Sequence, residues 1–389
     1  MDVNRMRRSP SGHVVLAGDG KGRYSAFVPS PLPPQISLSM ELAGALSRAD
    51  YALGQLAGHG RNIPNPSLLI RPFMRKEAVL SSRIEGTQAD LKDVMLLEAQ
   101  QQSLPGFEDG RTHDAQEVLN YVMALEWSLA NLDTLPLSLR LIRETHRRLV
   151  EGVRGGYAAP GEFRSTQNWI GSPGCTLDQA TYVPPPPYEM MQSLADLETY
   201  LHEDDAYPAL IRLGLIHYQF EAIHPFIDGN GRVGRLLLTL LLCYWDLLPQ
   251  PLLYLSEYFE RHRDEYYSRL LAVSESGQWE LWLIFFLTGV TEQADDATAK
   301  SRQLLDLKAE FTSRVSQASG SALVLKLADE LFSTPIITIN QATERLDSNY
   351  QAVRRAITTL VDLEILSEAT WQRRPRIYIA TRIMGVLES

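Results

Sequence analysis

The sequence predicts a mainly α-helical protein with an N-terminal β-hairpin, a short hairpin within the helical body and a C-terminal winged-helix domain. Apolar residues recur at intervals of three and four between about residues 36 and 300, which is typical of amphipathic helices. Runs of β-prone residues are confined to three places, each next to turn-forming residues. After about residue 295 the chain becomes polar and then compact again, which indicates a separate C-terminal domain.

The composition excludes several classes of protein. Of the 389 residues, 44% are hydrophobic and 22% are charged, which is ordinary for a globular chain and rules out wholesale disorder. The formal net charge of −10 does not suit a chain that coats nucleic acid or an anionic membrane. Two cysteines, Cys175 and Cys243, cannot build a disulfide framework or a four-cysteine zinc site. We therefore expect a reducing compartment. Because no apolar stretch follows the arginines near the N-terminus, we expect a cytoplasmic location.

Residues 1–35 predict a hairpin followed by a Pro-rich segment. Two β-prone runs, 13–16 and 24–28, flank a loop at 18–22 whose glycines and aspartate favour a turn. The loop lacks the spacing of the common Gly-rich phosphate motifs, so we interpret it as turn chemistry. Four prolines within 29–34 then exclude regular structure.

Residues 36–295 predict a helical body with one interruption. The periodicity is clear over 139–150, where apolar residues recur on one helical face. The interruption spans 161–187, where glycines and prolines surround β-prone pairs at 169–170 and 182–183. This pattern predicts a short β-hairpin that projects from the helices.

The last part of the chain predicts a linker helix at 296–320 and a winged-helix-like domain at 321–389. The order expected within this domain is helix, helix–turn–helix and hairpin, which is the winged-helix arrangement. The three helices and the two-stranded segment are predicted at 323–332, 338–346, 348–366 and 367–380.

Residues 224–235 read His-Pro-Phe-Ile-Asp-Gly-Asn-Gly-Arg-Val-Gly-Arg and bring together several chemically useful groups. Gly229, Asn230 and Gly231 predict a turn ahead of an apolar helix. Backbone N–H groups at such a helix start attract phosphate. The segment therefore predicts an anion site.

The side chains around this turn agree with a phosphate site. Arg232 and Arg235 lie three residues apart on one helical face and can both bind phosphate oxygens. Asp228 beside them suits Mg²⁺ that bridges a carboxylate and phosphates. His224 has an ordinary pKa near 6.5 and can accept a proton from a hydroxyl.

Each of these groups alone is commonplace, because a His-Pro pair is usually structural and Gly-Asn-Gly is usually a turn. Their occurrence in this order within twelve residues, ahead of a strongly apolar helix, favours a functional interpretation. The segment predicts a nucleotide phosphate site with a base and a metal ligand.

The segment resembles the signature of the Fic family, His-x-Phe-x-Asp/Glu-Gly-Asn-Gly-Arg-x-x-Arg, at every fixed position. The resemblance implies a Fic-type helical core, with ATP and Mg²⁺ as substrate and cofactor. It also implies transfer of AMP from ATP to a hydroxyl side chain of a protein. A kinase-like member of the family departs from the signature in the Gly-Asn-Gly-Arg part. Because that part is complete here, AMP transfer is favoured over phosphate transfer.

The resemblance also implies a role for each residue of the segment. His224 is the general base that deprotonates the target hydroxyl, and Asp228 holds Mg²⁺. Arg232 binds the β-phosphate and Arg235 the γ-phosphate, while the Gly-Asn-Gly turn forms the anion hole and its asparagine reaches the α-phosphate. The implied ATP-binding residues are Gly229, Asn230, Gly231, Arg232 and Arg235.

Three further segments, 160–164, 168–171 and 182–187, resemble the flap region of Fic proteins. By this resemblance a flap near 165–185 pairs edge-on with an extended segment of the target. Such pairing aligns a backbone without reading much sequence. The implied docking residues are Ile170, Gly171 and Tyr182.

A second motif, Ser-Ser-Arg-Ile-Glu-Gly in a helix predicted near 75–86, resembles the inhibitory pattern of the family. Ser81 and Glu85 are four residues apart and share a helix face, and Gly86 can end the helix. By the resemblance Glu85 binds Arg235 and occupies the arginine that the γ-phosphate needs. Without the first motif, this pattern would indicate only a solvated helix end.

The C-terminal domain leaves two interpretations open. It holds eight basic and eight acidic residues, so it has no overall DNA footprint. However, arginines fall on the expected recognition helix and wing, where a winged helix contacts DNA. DNA binding therefore stands beside protein docking or dimer packing. These arginines are Arg354, Arg355, Arg373, Arg374 and Arg376.

Two alternatives to an autoinhibited adenylyltransferase remain. The chain could be a DNA-binding regulator with a nucleotide-sensing core, or it could remove AMP from modified proteins. We expect a protein target with a hydroxyl side chain and no membrane partner, and we leave homodimer formation open. His146 and His217 are interpreted as packed core histidines, and Cys175 lacks partners for a nucleophile.

Overall fold

The computed structural model describes residues 1–61, 66–101, 110–153, 159–203, 206–369 and 376–389. Helices dominate, which confirms the predicted mainly α class. Among the described residues, no helix has the length and apolar content needed to cross a membrane. The first nine helices are α1 (Val3–Met6), α2 (Met40–Arg61), α3 (Ser67–Ile84), α4 (Leu91–Gln101), α5 (Gly110–Asn131), α6 (Leu139–Val150), α7 (Pro187–His202), α8 (Ala209–Ile223) and α9 (Asn230–Tyr244).

The remaining helices run from the charged segment after α9 to the end of the chain. They are α10 (Ser256–Arg261), α11 (Arg263–Ser276), α12 (Trp279–Ala318), α13 (Ala322–Ser333), α14 (Ile339–Arg345), α15 (Tyr350–Asp362) and α16 (Thr381–Glu388). The strands are β1 (Gly12–Ala17), β2 (Tyr24–Pro29), β3 (Ile336–Thr338), β4 (Ser367–Glu368) and β5 (Ile377–Ile379).

The chain forms two compact units, and each is assembled from segments that are distant in sequence. The first comprises Met1–Gly54, Met123–Leu247 and Leu255–Ala294. The second comprises Gln55–Val122, Leu248–Tyr254 and Asp295–Ser389. The domain boundaries expected from the sequence follow a different division and stay a prediction. The chain passes from the first unit to the second between Ala294 and Asp295, beside the boundary expected at 296 and inside the continuous helix α12.

The first unit is organised around α8, which is apolar on every side. Twelve of its fifteen residues are buried, as expected for a helix that other elements surround. It packs against α7, α9, α11 and β2. Gly214 allows one of the close approaches, because a Cβ there would lie 2.8 Å from Leu283 of α12. The predicted nucleotide segment follows directly from this buried helix.

The predicted N-terminal hairpin is confirmed. β1 and β2 pair antiparallel in the register Gly12 to Pro29 and Ala17 to Tyr24. The hairpin also supports the flap, because the Phe27 N–H donates to the carbonyl of Val183 at 2.9 Å. The Tyr24 hydroxyl donates to Gln167 Oε1 at 3.0 Å.

Of the short hairpin expected within the helical body, the structure contains one antiparallel bridge, Ile170 to Tyr182. The Ile170 N–H donates to the Tyr182 carbonyl at 2.8 Å, and a 3₁₀ turn at Leu177–Gln179 lies between the two residues. Glycine and proline at 171, 173 and 174 explain why the ladder is so short, because neither residue favours a strand.

In the second unit, the C-terminal segment packs on the helices that follow residue 66. α13 and α16 both contact α3, and β3 lies against α4. Arg75 of α3 donates to both carboxylate oxygens of Glu98 at 2.8 and 2.9 Å. The Gln341 side chain of α14 donates to the Glu98 carbonyl at 3.0 Å.

The C-terminal elements follow the order α13, β3, α14, α15, β4, β5 and α16. The sheet order is β3-β5-β4, so the sheet has a third strand, β3, beside the predicted two-stranded segment. It is only three residues long, and so short a run carries no clear periodicity. The winged-helix assignment stays a prediction, and the wing residues Arg373 and Arg374 lie outside the described residues.

Candidate functional site

His224 ends α8 in a left-handed backbone conformation, with φ 50° and ψ 61°. Its N–H donates to the Phe220 carbonyl at 3.0 Å and closes the helix. Glycine is the usual residue at a helix end with this conformation. A residue with a Cβ lowers the stability there by roughly 1–2 kcal/mol, because the Cβ crowds the neighbouring carbonyl. A strained backbone at a half-buried histidine is a common sign of a functional position.

The loop after His224 is held by the side chain of Asn230. The Asn230 Oδ1 accepts from the Phe226 N–H at 2.8 Å, and Nδ2 donates to the Phe226 carbonyl at 2.8 Å. The amide therefore uses both of its polar atoms on the loop backbone. The family resemblance assigns Asn230 to ATP, and no pattern in the sequence predicts that its side chain also holds the loop.

Gly229 begins α9 with φ 80°, and the Asp228 Oδ1 accepts from its N–H at 2.7 Å. A Cβ at Gly229 would meet Val150 at 3.3 Å and His146 at 3.5 Å. The positive φ therefore favours glycine, and the close approach of Val150 leaves little room for a side chain. The first N–H groups of a helix have no intrahelical acceptor, so the start of α9 has donors that suit an anion, and the phosphate site stays a prediction.

The two arginines of the segment are buried, although arginine is seldom buried without an anionic partner. Arg232 and Arg235 are 3% and 2% exposed. The Arg232 Nη2 lies 3.6 Å from Asp228 Oδ2, and the Asp228 side chain is 49% exposed. At Arg232 a buried positive charge is thus paired with a carboxylate that solvent can reach.

His146 of α6 connects this loop to the segment before the flap. Its Nδ1 accepts from the Gly161 N–H at 3.0 Å, which places the ring proton on Nε2, and Nε2 lies 3.0 Å from the Asp228 carbonyl. The ring stacks on Phe226 with centroids 3.7 Å apart. Burial lowers the pKa of His146 to about 4, so it stays neutral at physiological pH.

The expectation that His146 is a packed core histidine was incomplete. Its apolar helix position predicted burial, and it is buried. Its polar partners come from a loop 82 residues away and from Gly161. No local pattern signals such partners, so its loop-holding role was missed.

The predicted flap residues are placed as follows. Ile170 is half-buried and Gly171 is exposed, where a Cβ would lie 2.6 Å from Cys175 Sγ. Tyr182 is buried, and its hydroxyl donates to the Ala222 carbonyl of α8 at 2.9 Å. Burial raises the pKa of Tyr182 well above its ordinary value. The flap is therefore anchored at Tyr182.

The expected inhibitory residues lie in the second unit, at the end of α3. Ser81 is buried, and Glu85 is the exposed residue that caps the helix. Gly86 has φ 100°, and the Thr87 N–H donates to the Ser82 carbonyl at 3.1 Å. The predicted pairing of Glu85 with Arg235 stays a prediction.

The donor set of the site suits Mg²⁺ that arrives with a nucleotide. Among the described residues, no group of three or more His, Cys, Asp or Glu side chains could hold a metal ion. Asp228 offers one carboxylate beside the expected phosphate site. One carboxylate with substrate phosphates and water is an ordinary environment for Mg²⁺, so the residues fit the ion.

Comparison with known families gives two matches. Residues 43–130 match the profile of the Fic/DOC family N-terminal region, and residues 136–242 match the Fic/DOC family. The second match contains the segment from His224 to Arg235.

Curated relatives share part of the chain. "Protein adenylyltransferase Fic" of Drosophila grimshawi is 34% identical over 141 residues, covering 34% of this chain and 26% of the relative. "Protein adenylyltransferase fic-1" of Caenorhabditis briggsae is 30% identical over 188 residues, covering 45% and 34%. The chain thus spans about a quarter to a third of the length of these relatives.

Solved structures share the fold. A Fic family protein from Desulfovibrio desulfuricans aligns with a TM-score of 0.56 and 19% identity, over 90% of this chain and 98% of that chain. Fic-1 from C. elegans aligns with a TM-score of 0.53 and 21% identity, over 68% and 74%.

Proposed function

Because the chain belongs to the Fic/DOC family over residues 43–130 and 136–242, we propose that it is a protein adenylyltransferase. It moves AMP from ATP to a Ser, Thr or Tyr hydroxyl of a protein target and of itself. The loop between α8 and α9 carries the proposal. It begins with a histidine at φ 50° that ends α8, and it leads into the first turns of α9, which carry two buried arginines.

The proposed reaction begins with a proton transfer to His224. A ring nitrogen of His224 accepts the proton of the target hydroxyl, and the oxygen attacks the α-phosphorus of ATP. The bond between the α-phosphorus and the bridging oxygen breaks, and pyrophosphate leaves with the electron pair. The products are the AMP ester of the target, pyrophosphate and a protonated His224.

The rest of the site stabilises the charge of the triphosphate. The N–H groups at the start of α9, together with Arg232 and Arg235, supply positive charge in a mostly buried setting. Asp228 is the residue that would hold Mg²⁺, and the bound ion would neutralise charge on the α- and β-phosphates. His146 and Asn230 stabilise the conformation of the loop between α8 and α9 through hydrogen bonds to its backbone.

In this proposal Glu85 inhibits the enzyme. A carboxylate that reaches Arg235 would take the arginine needed by the γ-phosphate, so ATP would bind unproductively. The support is the motif at the end of α3, where Glu85 is presented as an exposed helix cap. This regulation rests on the family resemblance of that motif.

Transfer of labelled AMP from ATP tests the proposal. We expect Glu85→Gly to increase self-modification, because it frees Arg235. We expect His224→Ala in the same background to abolish it, because the base is lost. Incorporation of label into the chain and into proteins of a host lysate is the measurement.

Two matched controls sharpen this experiment. Glu203 caps α7 as Glu85 caps α3, so Glu203→Gly should leave transfer unchanged. His13 is an exposed histidine on β1, so His13→Ala should also have no effect. Equal transfer by wild type and Glu85→Gly overturns the inhibition. Undiminished transfer by His224→Ala contradicts the role of His224 as general base. Absence of transfer by every variant contradicts the proposed adenylyltransferase function.

A second candidate function, DNA binding, is favoured by the surface of α15. Arg354 and Arg355 are exposed, and neither has an ion pair in the described part of the chain. By contrast, Arg345 and Arg382 pair with carboxylates at Glu330 and Glu310. Two exposed cations without carboxylate partners on one helix suit phosphate contacts.

A mobility shift of duplex DNA by the full chain tests this second candidate. Arg354→Ala with Arg355→Ala should weaken binding and reduce the salt slope by about one unit for each lost phosphate contact. Arg382→Ala is the control, because that arginine is already paired. Absence of binding at low salt overturns the candidate.

Two further expectations belong to the same proposal. Net removal of AMP would appear as loss of the modification from a labelled target when ATP is absent, and mass spectrometry of the target hydroxyls detects it. Homodimer formation would double the mass measured by light scattering. Neither result alters the role proposed for His224.

A further inference from the structure

One buried arginine, Arg164, connects both ends of the flap to the end of α8. Its residue exposure is 3%. The Nε donates to the His224 carbonyl at 2.9 Å, and Nη2 lies 3.4 Å from the Ile223 carbonyl. The same guanidinium donates to the carbonyls of Thr166, where the flap begins, and Pro185, where it ends.

The backbone beside Arg164 extends this connection. The Arg164 N–H donates to the Pro225 carbonyl at 2.9 Å. The Asn168 Nδ2 donates to the Phe226 carbonyl at 2.8 Å and lies 3.5 Å from that of His224. The first arm of the flap is thus bonded to the loop along 223–226.

A cation suits this position for two physical reasons. The last carbonyls of a helix have no intrahelical donor, and the helix dipole places partial negative charge there. The left-handed turn at His224 brings its carbonyl to the same guanidinium. Burial lowers the pKa of Arg164 to about 10, so the group remains charged at neutral pH.

The planar, branched guanidinium of Arg164 is needed for these contacts as well as its positive charge. The contacts use Nε, Nη1 and Nη2 toward carbonyls of four different residues. A lysine ammonium has three donors on one atom and cannot span this set. Arg164→Lys therefore retains the charge and removes the bridge.

We propose that Arg164 is a positioning residue that sets the orientation of His224 and the order of the flap together. It touches backbone carbonyls and acts through His224. The inference rests on the proposed function, and it implies that a target seated on the flap meets a base held by the same guanidinium.

Kinetics in the Glu85→Gly background provide the first test. We expect Arg164→Lys to lower kcat for AMP transfer about 10- to 100-fold, the cost of a misplaced catalytic group. The Kd for ATP, measured by calorimetry, should stay within about twofold because Arg164 bonds no residue of the Gly-Asn-Gly turn. Loss of ATP affinity in proportion to kcat, or full kcat, overturns the proposal.

Arg143→Lys is the matched control. Arg143 also bonds the segment before the flap, through Nε to the Gly161 carbonyl at 2.7 Å and Nη2 to Glu162 at 2.6 Å. Its bonds do not reach α8. We expect its kcat to stay within about twofold of the parent, since exposed pairs of this kind contribute little.

Hydrogen exchange gives a readout that does not depend on transfer. In Arg164→Lys the amides of 165–186 and 223–229 should exchange faster together, whereas Arg143→Lys should leave both unchanged. Unchanged exchange in Arg164→Lys overturns the proposal even if the Glu85→Gly parent transfers no AMP. A Glu85→Gly parent that transfers no AMP would instead contradict the proposed function.

A milder variant keeps the test valid if Arg164→Lys unfolds. Asn168→Ala removes one side-chain donor to the same loop and leaves the guanidinium in place. We expect a smaller loss of kcat with unchanged ATP affinity and faster exchange over 223–229. Exchange and kcat equal to the parent would count against the proposal.

Discussion

Two buried histidines stay neutral in the first unit because burial excludes the charged form. His217 of α8 lies between the Tyr266 hydroxyl, at 2.7 Å from Nε2, and the Gly234 carbonyl, at 3.3 Å from Nδ1. Burial and the positive charge of Arg235 lower its pKa to about 3. Aromatic rings of Phe259 and Trp282 stack beside it. His217 is the packed core histidine that the sequence predicted.

This burial predicts a loss of stability in mild acid. The unfolded chain binds a proton at His217 below about pH 6.5, but the folded protein does not until about pH 3. Between these values the free energy of unfolding falls as pH falls, by at most about 1.4 kcal/mol per pH unit for one group. Burial of His146, with its pKa near 4, acts in the same direction.

Urea unfolding at about pH 7 and pH 5.5 checks this prediction. We expect the wild type to lose about 1 kcal/mol more than His217→Gln over this interval, because the variant lacks the titrating group. The comparison between the two proteins cancels the other titrating groups. An equal loss in both would contradict the lowered pKa, because it would mean that His217 takes up its proton equally well in the folded and unfolded states.

At the scale of elements, the loop between α8 and α9 depends on glycine at position 229. Gly229→Ala places a Cβ against Val150, Leu149 and His146, at 3.3–3.5 Å, in a residue with φ 80°. We expect a loss of about 1–2 kcal/mol from the backbone conformation. We also expect reduced AMP transfer, because the strained backbone at position 229 and the tight contact with Val150 shift the loop relative to α6.

Gly20→Ala is the control for this substitution. Gly20 also has a positive φ, of 55°, but a Cβ there meets nothing within 4 Å. Its unfolding free energy should fall by a similar backbone cost, whereas AMP transfer should be unchanged. Transfer by Gly229→Ala at the wild-type rate would show that the loop tolerates the added methyl group.

The elements that could be predicted are those whose cause is local. The turn at Gly229, the helix that follows and the hairpin β1–β2 each follow from neighbouring residues. The roles of His146 and Arg164 could not be predicted, because their partners are loop carbonyls 82 and 60 residues away. The flap contains one β-bridge rather than a longer hairpin, because its glycines and prolines disfavour strand pairing. These residues are visible in the sequence.

At the scale of the whole molecule, the sequence does not predict which segments of the chain come together in the second unit. Residues 55–122 and 295–389 share this unit, with α13 on α3 and β3 on α4. The change in composition near 295 predicts a domain boundary, and the chain passes from the first unit to the second between Ala294 and Asp295, inside the continuous helix α12. Helix contacts between such distant segments leave no periodic signal in either segment alone.

The packing of α13 on α3 predicts that a cavity in one will loosen the other. Leu327 of α13 is fully buried, so Leu327→Ala should cost about 2–5 kcal/mol. Hydrogen exchange across α3 should increase, because the two helices share one unit. Leu281→Ala is the control: that residue is 42% exposed in α12, and its cost should stay within about 0.5 kcal/mol.

An α3 whose exchange stays at the wild-type rate in a destabilised Leu327→Ala protein would contradict this linkage. The result would mean that the C-terminal segment opens without α3. In that case the two segments would be separate cooperative units despite their contact.

The sequence order of the two units has a consequence for synthesis on the ribosome. Every segment of the first unit, including the loop with His224, has been made when residue 294 is added. The second unit still lacks 95 residues at that moment, among them all of α13 and α16, which cover α3. Chains fold as they emerge, and α3 and the loop with His224 both emerge before α13 and α16, two of the helices that contact α3.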